Sequence, residues 1–462
     1  MSDQLTKHKE GSIRELWTLA YPMILAFLSA NIMMFADRLF LANYSMAAMN
    51  AAAAAGIVIV VFQYGAAIIT AIAEVFVGQF NGAKKYRRAA APTWQMLWFS
   101  ATIFVLFFGL AQWSGPYLLP EYHYADEGLP YFQWLLYFGA AMPVTAALSG
   151  FFVGIGKTRY VMAITIVGNI INIVLDPILI FGVGMIAPMG AKGAAIATGI
   201  SQVIQVIAFG ALFLSNTYRI KYGTSVWKLE FPLLWKCLKV GVPNALGHMI
   251  EWAAWAICIR MMAETSEHHL TVATIGQSMY MLVAFGFEGV QKAVTTLVAN
   301  RIGAAKFDGI WAVWHASIKL LLIFAVPFGI LLLGYPDPII AEFLSTEAPP
   351  SDIILLTPLL KITAAGVFIY YIVDGLTWIC AGALTAAEDT WFIMWVNGVT
   401  AWTCSLLPVF FFLYYLRWSP AWYFIFTCFY GAANAAVFYL RLRTKPWEKL
   451  HHTHPLEIPE DA

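Results

Sequence analysis

Runs of about twenty apolar residues, the length an α-helix needs to cross the hydrocarbon core of a bilayer, recur along the whole chain. Twelve can be delimited, near 16–41, 50–77, 93–113, 131–153, 161–183, 191–214, 238–262, 270–299, 312–334, 359–384, 391–416 and 420–440. Of the 462 residues 61% are hydrophobic and 11% charged, with a mean hydropathy of +0.71, whereas a soluble globular chain carries about 25% charged residues. The expected fold is therefore an all-α integral membrane protein with twelve transmembrane helices. The net charge is +1, and the basic residues are scattered over short connections. That distribution excludes a nucleic-acid partner and makes the lipid bilayer the surrounding medium.

The amino terminus is polar for fifteen residues before the first apolar run and shows no short apolar core with a cleavage site, so no removable signal is expected. The five cysteines, Cys237, Cys258, Cys380, Cys404 and Cys428, lie in or beside apolar segments without C-x-x-C spacing. They read as buried reduced thiols.

Lysine and arginine favour one set of connections: Lys84, Lys85, Arg87 and Arg88; Lys157 and Arg159; Arg219, Lys221, Lys228 and Lys236; Arg301 and Lys306. The other set is acidic, with Lys192 and Arg417 its main exceptions. By the positive-inside rule both termini face the cytoplasm, as an even helix count requires, and the chain belongs in the cytoplasmic (inner) membrane. The sequence also looks doubled. "VGQFNGAKKYRRA" after the second run corresponds to "VANRIGAAKFDGI" after the eighth, with Gly82 matching Gly303. Two pseudo-symmetric six-helix lobes follow, related by an axis along the membrane normal, an arrangement found in transporters. The expected boundaries are a tail at 1–15, an N-lobe at 16–215, a linker at 216–237, a C-lobe at 238–441 and a tail at 442–462.

Polar residues inside the spans carry the functional signal, because they face a cavity or one another. Asn169, Asn172 and Asp176 fall at i, i+3 and i+7 of the fifth span, on one helix face. Asn244, His248, Glu251 and Trp255 form one stripe of the seventh, Tyr370, Asp374 and Trp378 one of the tenth, and Asp37 stands toward the outer end of the first. Each half thus has two carboxylates on separate helices. An isolated buried acid is often a protonated packing element. Four of them, striped with amides and hydroxyls, suit a hard cation such as Na⁺ or a proton.

The other charges have simpler readings. Glu288 and Lys292 at i and i+4 can satisfy each other, Glu74 can pair with the Lys84–Arg88 loop, and Arg38 can snorkel outward. A core hydrogen bond is the default for His248, although its place beside Glu251 keeps it a candidate. "HHTH" at His451 to His454 is a weak metal-binding motif. Gly156, Lys157 and Thr158 imitate the end of a phosphate loop, yet Phe151 occupies the position of the required glycine. His123, His268 and His269 lack metal-ligand spacing, and no catalytic pairing stands out, so an enzyme is not expected.

Four stretches, "MMFADRLFLANYSMAAMNAAAA", "VGQFNGAKKYRRA", "NIINIVLDPILIFG" and "VDGLTWICAGALTAAEDT", resemble the multidrug and toxic compound extrusion (MATE) family. "HMIEWAAWAICIRMM" is similar to that family's seventh helix. The likeness runs from about Leu16 to Arg441. It implies two six-helix lobes around a central cleft, exporting small organic compounds in exchange for Na⁺ or H⁺, with no cofactor besides the coupling ion. By position, Asp37, Asn172, Asp176 and Thr198 match the N-lobe cation site of one branch. Glu251, Asp374 and Tyr370 match the C-lobe site of another. The resemblance leaves open which set couples, and Na⁺ can be held at either group of carboxylates. Arg38, Glu74, His248 and Lys292 depart from the family pattern. The implied mechanism is a neutralisation switch, in which a carboxylate occupied by a cation can be enclosed while the lobes rock. Its Trp, Tyr, Phe and Met side chains would offer a wall for flat organic cations. The expected particle is a monomer. A flippase for a lipid-linked substrate of the wider superfamily is the alternative, and a non-transporting receptor or scaffold the alternative of a different class.

Overall fold

The computed structural model describes residues 5–118, 127–344 and 350–448, and the regular structure among them is entirely helical. The helices of the first half are α1 (Ile13–Tyr44), α2 (Met46–Ala71), α3 (Ala73–Gly82), α4 (Ala91–Trp113), α5 (Gly115–Leu118), α6 (Gly128–Tyr137), α7 (Ala141–Gly154), α8 (Thr158–Phe181) and α9 (Gly190–Phe213). A short α10 (Asn216–Tyr222) follows. The second half has α11 (Phe231–Thr265), α12 (Glu267–Gly303), α13 (Asp308–Gly329), α14 (Pro336–Phe343), α15 (Pro350–Ala386), α16 (Thr390–Thr400) and α17 (Trp422–Arg443). Helix α13 runs on as a π-helix over Ile330–Gly334, and α16 leads into π-helical Ala401–Leu406 and Val409–Tyr415.

Eleven helical stretches among the described residues are long and apolar enough to cross a membrane. Helix α11, 35 residues long, spans about 50 Å and carries the stripe of Asn244, His248 and Glu251. With it the twelve expected spans are accounted for, six in each half. The second span is made of α2 and α3, separated by Ile72, and the fourth of α6 and α7. Ser45 Oγ caps α2, accepting from the N–H groups of Ala47 and Ala48 at 3.2 and 3.4 Å.

The chain divides into two compact units. The first comprises Thr18–Ala245, Ala299–Ala305 and the start of the chain; the second comprises His8–Trp17, Leu246–Val298 and Lys306 onward. Within the first, the C-terminal ends of α3 and α12 touch through the two glycines that the internal repeat aligns. A Cβ on Gly82 would overlap the Asn300 carbonyl oxygen, and one on Gly303 would overlap that of Gln79. Asn81 Nδ2 donates to Asn300 Oδ1 at 2.7 Å, and Asn300 Nδ2 donates to the Gly154 carbonyl at 2.9 Å. Small residues there let two backbones meet.

The connection after α10 is pinned rather than loose. Gln95 of α4 donates to the Lys228 carbonyl at 3.0 Å and accepts the Glu230 N–H at 2.9 Å, while Trp94 donates to the Thr224 carbonyl at 3.0 Å. The Arg88 guanidinium forks onto both Glu230 carboxylate oxygens at 3.1 and 2.8 Å. Glu74, expected near the Arg88 loop, is buried on α3.

Candidate functional site

In the first unit, α1, α8 and α9 bring Asp37, Asn172, Asp176 and Thr198 together. The 3.6-residue period puts Asn169, Asn172 and Asp176 on the inner face of α8, where their exposures are 4%, 0% and 0%. Asn172 Nδ2 donates to Thr198 Oγ1 at 3.3 Å, and the carboxyls of Asp37 and Asp176 are close enough to interact electrostatically. Asp37 Oδ1, Asn172 Oδ1 and both Asp176 oxygens are buried and receive no hydrogen bond. Asn169 turns elsewhere, donating to Ser29 Oγ of α1 at 2.8 Å and so tying α8 to α1. Leu41 and Ile180, one turn beyond the two aspartates, pack with Ala191 and Ala194 into a buried apolar cluster that Tyr131 of α6 adjoins. Tyr131 lies close to both carboxyls, and nothing in the sequence marked it.

The second unit holds the other two carboxylates, and their oxygens are well supplied with donors. Asp374 Oδ2 accepts from Tyr280 OH at 2.5 Å and from Trp378 Nε1 at 2.9 Å. Glu251 Oε1 accepts from Tyr430 OH at 2.8 Å, and its Oε2 lies 3.8 Å from His248 Nδ1. The His248 ring in turn lies 5.8 Å from that of Trp378. A chain of contacts thus leads from Glu251 through His248 and Trp378 to Asp374. Tyr370, 1% exposed, has its ring 5.0 Å from that of Tyr280 and tilted to it by 44°, and the Trp255 ring lies 6.0 Å from that of Tyr370. Behind Tyr430, one turn along α17, Asn434 Oδ1 accepts from Thr400 Oγ1 at 2.6 Å, and its Nδ2 donates to Asn397 Oδ1 at 3.2 Å.

Sequence reading finds the stripes but not their partners. Tyr280, Tyr430, Asn397, Thr400 and Asn434 come from other helices, and a lone tyrosine or asparagine in an apolar run carries no spacing signal. Of the remaining histidines, His269 bonds Ser266 and the Trp418 carbonyl, and His268 lies 3.7 Å from Asp352. His123 and the His451 to His454 motif lie outside the described residues. Among the described residues no cluster of three or more His, Cys, Asp or Glu is arranged for a metal. All five cysteines are free thiols.

Known proteins carry the same plan. A family model described as MatE matches residues 22–178 and 243–411, most of both halves. The "Probable multidrug resistance protein NorM" of Thermotoga maritima is 24% identical over 421 residues, covering 89% of this chain and 88% of its own. The "Uncharacterized transporter YisQ" of Bacillus subtilis is 25% identical over 456 residues, 94% of each chain. Among solved structures, an outward-facing multidrug resistance MATE family transporter of the MOP superfamily superposes with a TM-score of 0.83 at 17% identity, covering 98% of this chain and 99% of its own. A MOP superfamily transporter from Pyrococcus furiosus gives 0.83 at 17% over 96% and 98%. Fold and relatives together define a multi-pass membrane transporter rather than an enzyme. The chain belongs to the MatE family.

Proposed function

We propose that the protein exports organic cations across the cytoplasmic membrane by alternating access, in antiport against inward-moving H⁺ or Na⁺. The observation that carries this reading is the donor-free oxygen group of the first unit. Asp37 and Asp176 bring two carboxyls together, and three of their four oxygens are buried without any N–H or O–H to neutralise them. Carboxylates so placed are stabilised by a positive charge between them, and oxygen-only surroundings suit either a proton or a hard cation. Asp37, Asp176, the Asn172 carbonyl and the Thr198 hydroxyl would hold that cargo ion. Inward movement of one positive charge releases about 2.3 kcal/mol per 100 mV, enough to drive roughly fifty-fold concentration of an exchanged substrate.

The carboxylates of the second unit, already bonded by Tyr430, Tyr280 and Trp378, take the second role in this reading. Asp374 supplies negative charge beside the aromatic group of Trp255, Tyr280 and Tyr370, a surface that favours flat cations. The names of the NorM relatives support a drug-like substrate.

The test is efflux of a fluorescent organic cation from proteoliposomes under imposed Na⁺ or pH gradients. Asp37→Asn and Asp176→Asn are expected to cut gradient-driven export at least ten-fold, and Glu251→Gln to reduce it less. Wild-type rates from both aspartate variants under every gradient would falsify the assignment.

A further inference from the structure

Away from the carboxylates, the second unit contains a basic seam where His8–Trp17 packs against α13. Gly11 turns the chain there with φ +77°, and a Cβ in its place would overlap that of Ala312. The neighbouring acids are engaged: Glu10 holds the Lys306 ammonium at 2.8 Å, and the buried Glu15 accepts the Gly11 N–H at 2.6 Å. Beside this turn opens a cavity of about 440 Å³ whose lining includes Ser12, Arg14, Ala312, His315, Ala316 and Lys319. None of the described lining residues is acidic.

Lys319 lies eleven residues into α13, about 16 Å along its axis, and is exposed. A lysine at that depth on the outside of a membrane helix requires a counter-charge or a path to the headgroup layer. No ion pair among the described residues engages it. On the same face of the helix follow Leu322, Ile323 and Val326, 50%, 56% and 62% exposed, at i+3, i+4 and i+7. A cationic cavity continuing into an apolar stripe matches one chemistry, an acidic head joined to a hydrocarbon tail.

We infer that this seam is a binding site for an anionic phospholipid, with the headgroup phosphate between Arg14 and Lys319 and an acyl chain along Leu322, Ile323 and Val326. Basic pockets between membrane helices hold such headgroups. A soluble phosphate would share the cavity chemistry but leave the stripe unused.

Native mass spectrometry of the full-length protein, supplied with phosphatidylglycerol or phosphatidylcholine, tests the site. Wild type is expected to retain phosphatidylglycerol at least ten-fold better than phosphatidylcholine. Arg14→Gln with Lys319→Met should abolish that preference, the single exposed Lys319→Met should weaken it several-fold, and Lys319→Arg should keep it. Equal retention of the two lipids by wild type, or undiminished preference in Lys319→Met, overturns the proposal. So does inorganic phosphate raising the melting temperature of the detergent-solubilised protein as much as phosphatidylglycerol does, since the ligand would then be a soluble anion.

Discussion

Glu251 and Asp176 are both carboxylates inside membrane helices, yet their surroundings differ in kind. Glu251 receives a phenol hydrogen bond from Tyr430, 179 residues away, whereas both oxygens of Asp176 receive none. A hydrogen bond to a charged group contributes about 1.5–3 kcal/mol, and its loss leaves a buried acceptor unsatisfied. Tyr430→Phe is therefore expected to lower the thermal stability of the purified protein by about that amount. In Glu251→Gln the same change should cost less, with a coupling of about 0.5–3 kcal/mol in the double-mutant cycle. Strict additivity of the two changes would show that the phenol and carboxylate do not depend on one another.

Matching sequence positions became matching contacts at the ends of α3 and α12. Gly82 and Gly303 align in the internal repeat, and each lies against a backbone carbonyl contributed by the other helix. Side chains of any size force backbone movement there, because the obstructing atoms cannot swing away. Gly303→Val is expected to destabilise the protein by about 1–3 kcal/mol or more, the range of overpacked sites, read as a fall in the midpoint of thermal unfolding. An unchanged midpoint would mean that the two helix ends are not pressed together. Pinning of the connection after α10 was not legible in the same way. Its length and charge announce a loop, but the hydrogen bonds from Trp94 and Gln95 depend on where α4 begins.

The twelve-span transporter fold places both chain ends on one side of the membrane, and from the lysine and arginine distribution we propose that this side is the cytoplasm. Single cysteines introduced near residues 8 and 445, in a chain whose natural cysteines are replaced, are expected to react with a membrane-impermeant maleimide only after the cells are opened. Labelling of either in intact cells contradicts this topology. The helices, their number and the polar stripes were readable in the sequence because they rest on local terms, the length of an apolar run and the 3.6-residue period. Which stripe residue meets which partner rests on packing between helices distant in sequence. Asn169 shares a stripe with Asp176 but turns to Ser29, while Tyr280 and Tyr430, unmarked in the sequence, hold the acids of the second unit. Carboxylates were thus visible from their cost in an apolar run, and their donors became visible only when the helices were brought together.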